Sequence, residues 1–290
     1  MEFKTYLIIG PTAIGKTEYA VNLALELGNA EIVSVDSMQV YRYMDIGTGK
    51  PTKEEQKGIT HHLIDCLDPD DEYNLTIFLQ KSKEIVEKLY SENKIPIFVG
   101  GTGLYIKALL EGFVTPGGRG DKELRKHYEG LAKEKGREHV WEILKKKDPR
   151  RAEQLKPNDL FRVVRALEYF DTYGVSILDE REKGETFLKE PISIIGLTAD
   201  RKIIYERINK RVDDMFERGL VDEVRGLLER GYDPSLTSLQ ALGYKETISY
   251  LNGEMDLDEC KELIKKRTRA FAKRQYTWYR KLNSVEWISV

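Results

Sequence analysis

Gly10-Pro11-Thr12-Ala13-Ile14-Gly15-Lys16-Thr17 follows directly on the apolar run Tyr6-Leu7-Ile8-Ile9 and opens residues 16–27, where Ala20, Leu23, Ala24 and Leu27 recur at helical spacing. Strand, glycine-bounded loop and helix in that order form the setting of a phosphate-binding loop. The glycines let successive backbone N–H groups turn inward around phosphate oxygens, Lys16 adds a point charge, and the Thr17 hydroxyl is placed to ligate Mg2+. The helix N-terminus favours an anion as well. The octet from Gly10 to Thr17 is therefore expected to hold a di- or triphosphate.

Outward from the loop, strand and helix alternate: Tyr6 to Gly10, a helix to Gly28, Glu31 to Val35, a long polar stretch, a helix from Asn74 to about Glu92, then Ile95 to Val99. This alternation predicts a parallel sheet with helical crossovers. Ligands of such sheets sit beyond the carboxyl ends of the strands. Those ends deliver the phosphate loop, Asp36-Ser37-Met38-Gln39 and Gly100-Gly101-Thr102-Gly103 to one cleft. After Thr115 the texture changes: Pro116-Gly117-Gly118 opens a charge-rich stretch without a clear strand, closed by Glu190-Pro191. A helical insertion over 116–190 is expected, within a core made of 1–115 and 191–290. Ile192 to Leu197 resumes the sheet, and helices follow from Asp200 to about Arg218 and from Leu220 to Arg230. The last helix begins near Asp256, with Glu259 three residues on as in a capping box, and runs to about Leu282. The expected fold class is α/β, a P-loop NTPase-like parallel sheet flanked by helices, with an inserted all-helical domain.

With 290 residues, 40% of them apolar, the chain can bury a sizeable core. A formal charge of −2 argues against a uniformly basic nucleic-acid binder and leaves a local basic face open. Cys66 and Cys260 lie far apart without Cys-x-x-Cys spacing, which suggests neither a disulfide framework nor a zinc module. Residues 1–10 lack the sections of a signal peptide and no run of about 18 apolar residues occurs. A cytoplasmic monomer without membrane association or an evident protein partner is expected.

Motor-type P-loop proteins hold Mg2+ through an Asp at the end of an apolar strand, whereas Ile95-Pro96-Ile97-Phe98-Val99 ends in glycines. Asp36, after the second strand, would instead face the phosphates, where it could accept a proton or orient an attacking group. Capping a turn with Ser37 is its other reading. Thr102 could donate to a phosphate or hold a nucleophile, or simply cap a helix. Arg201, near the start of a helix, could reach a phosphate bidentately or be a solvated charge. From Lys261 to Lys281 the last helix holds nine Lys or Arg and one acidic residue, interleaved with Phe271, Tyr276, Trp278 and Tyr279. Basic groups can neutralise nucleic-acid phosphates while rings stack on bases, or the rings can pack the helix down. Arg162 and Arg165, with Arg150 and Arg151 nearby, form a second candidate phosphate-contacting surface.

To these motifs the sequence adds Val40-Tyr41-Arg42 after Gln39, Leu104-Tyr105 after Gly103, Asn158-Asp159, Ala166-Leu167-Glu168, Gly243-Tyr244 and Lys273-Arg274-Gln275-Tyr276-Thr277-Trp278. The combination resembles the bacterial tRNA dimethylallyltransferases, also called tRNA isopentenyltransferases, over essentially the whole chain. The resemblance implies transfer of a dimethylallyl group from its diphosphate to N6 of the adenosine immediately 3′ of the tRNA anticodon. The phosphate loop would then hold a diphosphate leaving group and not ATP, with Mg2+ as cofactor and the anticodon stem-loop as partner. Asp36 matches the family's general base, and Thr102 a position near the reacting base and leaving group. Arg201 would stabilise the diphosphate together with Lys16 and Thr17.

For RNA contact the pattern carries over to Asp36, Ser37, Met38, Gln39, Thr102, Arg125, Phe161, Arg162, Val163, Val164 and Arg165. It continues at Gln240, Ala241, Leu242, Gly243, Tyr244 and Lys245, then at Lys273, Arg274, Gln275, Tyr276, Thr277, Trp278, Tyr279 and Arg280. Gln240 and Lys245 stand where some members carry Arg. Gln39 suits bidentate reading of adenine, and the adenosine should flip into the cleft at a cost of a few kcal/mol. Eukaryotic members often append a zinc finger, for which no ligands follow here, so the resemblance is to the short bacterial form. An ATP-dependent small-molecule kinase, or a prenyltransferase acting on free adenine nucleotides, would use the same loop but need no basic, aromatic helix. An NTP-gated RNA-binding protein would use that helix and leave Asp36 unexplained.

Overall fold

The computed structural model describes residues 4–112, 121–181 and 186–290. The Pro116-Gly117-Gly118 turn expected to open the insertion lies outside them. Two compact units emerge, one made of residues 1–107 and 188–290 and the other of residues 108–187.

The first unit carries β1 (Thr5–Ile9), α1 (Lys16–Leu27), β2 (Ala30–Val35), α2 (Lys53–Gln56), β3 (His61–His62), α3 (Leu75–Ser91) and β4 (Ile95–Gly100), after which α4 runs over Gly103–Glu111. The chain then forms α5 (Lys122–Lys135), α6 (Arg137–Lys147), α7 (Pro149–Ala152), α8 (Leu160–Tyr173) and α9 (Ile177–Arg181). It returns to the first unit through β5 (Ile192–Thr198), α10 (Arg201–Glu217), α11 (Leu220–Glu229), α12 (Tyr244–Leu251), α13 (Leu257–Tyr279) and β6 (Val285–Ser289).

The six strands pair in the order β3-β2-β4-β1-β5-β6, and every pairing is parallel. Continuous apolar runs suit this, because helices cover both faces of a parallel sheet. Ile8, Ile32 and Ile97 meet Val21 and Ala24 of α1 and Ile204 and Ile208 of α10 in one buried cluster. Register sets the site: Ile9 pairs with Gly100, and Gly100 with Val35, so the segments following β1, β2 and β4 start side by side.

The expected elements are present, with ends shifted by one to three residues. Asn74, Asp200 and Asp256 each accept a backbone amide as N-caps, and Asp256 forms the capping box with Glu259. Four elements were not expected: α2, the two-residue β3, α12 and the edge strand β6, whose Glu286 and Trp287 do not alternate as a core strand would. The stretch after Asp36 is also more compact than its polarity suggests, since it buries Val40, Tyr41, Met44, Leu63 and Tyr73. The second unit closes around its own core, which includes Tyr128, Val140, Leu144, Val163, Val164 and Leu167.

Candidate active site

Backbone conformation makes the phosphate loop. Ala13 and Gly15 both take positive φ, at 64° and 97°, so the intervening amides turn toward one side and form an anion nest at the start of α1. Gly15 is needed there because a side chain in the left-handed region is strained. Lys16 donates from Nζ to the Pro11 carbonyl at 2.8 Å, folding back over the loop. Its side chain is half-buried on the wall of the site cavity. That burial, and next the charge of Arg211, push its ammonium down to about 7 despite the opposing pull of Asp36.

A cavity of about 600 Å³ opens against the loop. Residues 12–17 line it together with Ser34, Asp36, Gln39, Thr48, Gly49, Gly100, Gly101, Arg211, Phe271 and Gln275. The loop, Asp36, Gln39 and the glycines after β4 thus meet in one cleft within the first unit.

Asp36 caps its turn and also lines the cavity. Its Oδ1 accepts the amides of Met38 at 2.8 Å and Gln39 at 3.2 Å, capping the turn after β2. Oδ2 takes no part in that turn, and the residue lines the cavity. Gln39 is held by Ser34, whose hydroxyl donates to its Oε1 at 3.0 Å, and by the Gly49 carbonyl, which accepts from its Nε2 at 3.3 Å. One lone pair and one N–H of the amide take no part in these two bonds. Thr102 stands one residue beyond the cavity-lining Gly101, and its carbonyl accepts the amides of Tyr105 and Ile106 at the start of α4.

The arginine on the cavity wall is Arg211 and not Arg201. Arg201 is exposed at the first position of α10 and lies over the Tyr205 ring at 5.0 Å. Arg211 comes ten residues later on the same helix, and burial lowers its pKa against the opposing charges of Asp36 and Glu55. A signal was available. Ile204, Ile208 and Val212 form the buried stripe of α10, and position 211 falls on it at helical spacing.

Along α13 the basic and buried faces separate. Cys260, Ile264, Thr268, Ala272, Gln275 and Tyr279 are buried, whereas Lys273, Arg274, Thr277 and Arg280 are exposed. Gln275 and Tyr279, expected against RNA, are instead committed inward. Gln275 accepts the Thr12 amide at 2.8 Å through Oε1 and donates Nε2 to the Gly101 carbonyl at 3.0 Å. Tyr279 donates to the carbonyls of Gly10 at 3.2 Å and Gly101 at 3.1 Å. Together they tie the phosphate loop to the segment after β4. Tyr276 bonds Thr198 through its hydroxyl, and Trp278 packs over Gly103, so packing accounts for these rings as well.

Other positions expected at RNA divide in the same way. The side chains of Val163 and Val164 lie in the core of the second unit, and Tyr244 is fully buried, so none of the three can present a side chain to RNA. Phe161 is 75% exposed beside Arg162, which pairs with Asp159 at 2.9 Å. Arg125 and Arg165 both reach the buried Glu168 carboxylate, at 3.3 and 3.1 Å. That pairing fixes their guanidinium groups while about two fifths of each side chain stays exposed. Gln240 is exposed, Ala241, Leu242 and Lys245 are half-buried, and Gly243 precedes α12. Ser37 and Met38 are half-buried beside Asp36.

Among the described residues no group of three or more His, Cys, Asp or Glu could hold a metal. No helix there is long and apolar enough to cross a membrane.

Family models agree with this architecture. The IPP transferase model matches residues 39–282, and an isopentenyl transferase model matches residues 3–68. The chain is 44% identical over 290 residues to a tRNA dimethylallyltransferase of Alkaliphilus oremlandii, covering all of this chain and 92% of that one. It is 47% identical over 284 residues to that of Acetivibrio thermocellus, covering 98% and 90%. The crystal structure of a full-length tRNA isopentenylpyrophosphate transferase from Bacillus halodurans superposes with a TM-score of 0.72 at 39% identity, covering 99% of this chain and 90% of that one. A eukaryotic dimethylallyltransferase acting on tRNA superposes with a TM-score of 0.84 at 29% identity, covering 99% and 74%. With a phosphate loop, Asp36 and Arg211 around one cavity and kinship along its full length, the chain belongs to the IPP transferase family, that of the tRNA dimethylallyltransferases.

Proposed function

We propose that the protein transfers a dimethylallyl group from dimethylallyl diphosphate to N6 of the adenosine immediately 3′ of a tRNA anticodon. The observation that carries this is a carboxylate, Asp36, sharing one cavity with the phosphate loop while Arg211 adds a cation beside them. The loop amides, Lys16 and Arg211 hold the diphosphate and take up the charge that gathers on it as the bond to C1 breaks. Thr102 lies at the rim of this site. The flipped adenosine presents N6 to C1. As the N6–C1 bond forms and diphosphate departs, the N6 proton passes to Asp36 Oδ2.

The Thr17 hydroxyl is an oxygen donor on the cavity wall, which suits Mg2+ held mainly by diphosphate oxygens and water. Bound there, the metal would neutralise leaving-group charge. In the first unit the anticodon stem-loop is read by Gln39, residues 240–245 and the exposed side of α13, supported from within by Gln275, Tyr279 and Tyr244. In the second unit Phe161, Arg162, Arg125 and Arg165 grip it, over a core that holds Val163 and Val164.

The decisive experiment incubates the protein with Mg2+, dimethylallyl diphosphate and unmodified tRNA, followed by nucleoside mass analysis. N6-dimethylallyl adenosine is the expected product. ADP formation from ATP with a small acceptor, and no prenylated nucleoside, would favour a kinase instead. Charge reversal at Lys273 and Arg274 should weaken tRNA binding and lower its salt slope by about 2, roughly one for each phosphate no longer neutralised. Filter binding from low to high salt reads both quantities, and an unchanged slope would take this face out of the interface.

Lys16 also sets a pH dependence. In the unfolded chain its pKa is 10.5 and in the folded protein about 7. Between these values the unfolded chain holds a proton that the folded one lacks. Its cost to stability is therefore full below about pH 7 and fades as pH rises toward 10.5. A bound polyanion restores the charge, so diphosphate binding should take up protons at pH 8 and weaken as pH climbs. Calorimetry in buffers of different ionisation heat measures that uptake. No proton transfer would mean that Lys16 is already charged in the free protein.

A further inference from the structure

Glu223 lies on α11, outside the cavity, yet four donors converge on its carboxylate. Oε2 accepts the amides of Asp45 at 2.9 Å and Ile46 at 2.7 Å, and Oε1 accepts the amide of Gly47 at 3.0 Å and the Tyr244 hydroxyl at 2.6 Å. The Tyr244 ring packs so closely on Gly47 that a Cβ there would overlap it. From this clamp the chain turns back on itself, with the Gly49 amide on the Ile46 carbonyl at 3.0 Å and the Lys50 amide on the Asp45 carbonyl at 2.9 Å. Thr48 and Gly49 thereby become cavity wall.

Gly49 makes two contacts that matter there. Its carbonyl takes Gln39 Nε2, and its α-carbon, at φ 59°, lies against the Arg211 guanidinium so that any Cβ would overlap Nη2. A carboxylate that accepts several amides is a stiff anchor, because these charge-assisted bonds are stronger than neutral ones. Turning the carboxylate into an amide leaves one accepting oxygen and sets an NH2 against the donors on the other side, which loosens the wall on which Arg211 rests.

We infer that Glu223 is a positioning residue: by clamping residues 45–47 it fixes Gly49, and through Gly49 it aims Arg211 at the diphosphate and Gln39 at the base. The inference rests on the proposed diphosphate site. Its test uses inorganic diphosphate, whose binding can be measured without chemistry, in a double-mutant cycle on the full chain. Glu223→Gln should weaken diphosphate binding about tenfold in the native background and less than about twofold once Arg211 is already Ala, because the two changes share one effect. Equal losses in both backgrounds would show a general structural role and overturn the inference, as would no loss in either.

Should Glu223→Gln not fold, Glu223→Asp keeps the charge, draws the loop back by one methylene, and is read by the same cycle. Two further comparisons separate the inference from the prenyl-transfer reading. Coupled loss of diphosphate affinity in a protein that makes no prenylated adenosine supports the positioning role and defeats that reading. Product formation with uncoupled losses does the reverse.

Discussion

Asp36→Asn should slow prenyl transfer by about 10²- to 10⁴-fold, the range of a lost general base, while tRNA affinity holds within about twofold. Asparagine is the informative replacement here. Its side-chain oxygen can still accept the amides of Met38 and Gln39, so the turn after β2 survives and only proton acceptance is lost. Alanine would release the turn and with it Gln39, mixing chemistry with recognition. Single-turnover rates at saturating tRNA, with affinity measured separately, give the answer. An Asn variant close to the native rate would assign Asp36 to the turn alone.

A comparable loss, about 10²- to 10³-fold in kcat/KM, is expected for Arg211→Ala, the size seen when a donor to developing negative charge is removed. Arg201→Ala should change the rate by less than about twofold, as surface substitutions far from a site do. The contrast follows from place on one helix: Arg201 is exposed over Tyr205, whereas Arg211 faces the cavity beside Lys16 and Asp36. Since Arg211 is one cause of the low Lys16 pKa, its removal should also raise that pKa and reduce the proton uptake on binding diphosphate. A rate loss at Arg201 matching that at Arg211 would reverse this assignment.

What could be read from the residues was local. The phosphate loop declares itself because its loop and flanking strand and helix are contiguous, and Asp36 because it directly follows a strand. Arg211, Gln275 and Glu223 were hidden for a common reason. Each is a polar residue within a helix of charged sequence, and its role depends on a partner far along the chain: Gln275 meets Thr12, and Glu223 meets residues 45–47. Helical spacing does mark Gln275 and Arg211 as inward-facing, but it cannot say what they meet. Three aromatics of α13 left two readings open in the sequence. Tyr276, Trp278 and Tyr279 have the composition of a stacking surface, yet all three serve packing because the helix lies against the ends of β1, β4 and β5. The edge strand β6 was missed because pairing on one side alone leaves no two-sided apolar run to read.

The bond from Gln275 to Thr12 spans 263 positions, so the start of the phosphate loop stays loose until α13 docks. At ordinary translation speeds of about 5–20 residues per second, Gln275 itself is made only roughly 13 to 53 s after Thr12, and docking comes later still. Unfinished polypeptides, although they already contain the whole octet and Asp36, would be catalytically silent on the ribosome. Prenylation thus becomes a property only of chains that have completed their long-range closure, and a nonsense fragment ending before α13 would be inert toward RNA chemistry rather than partly active.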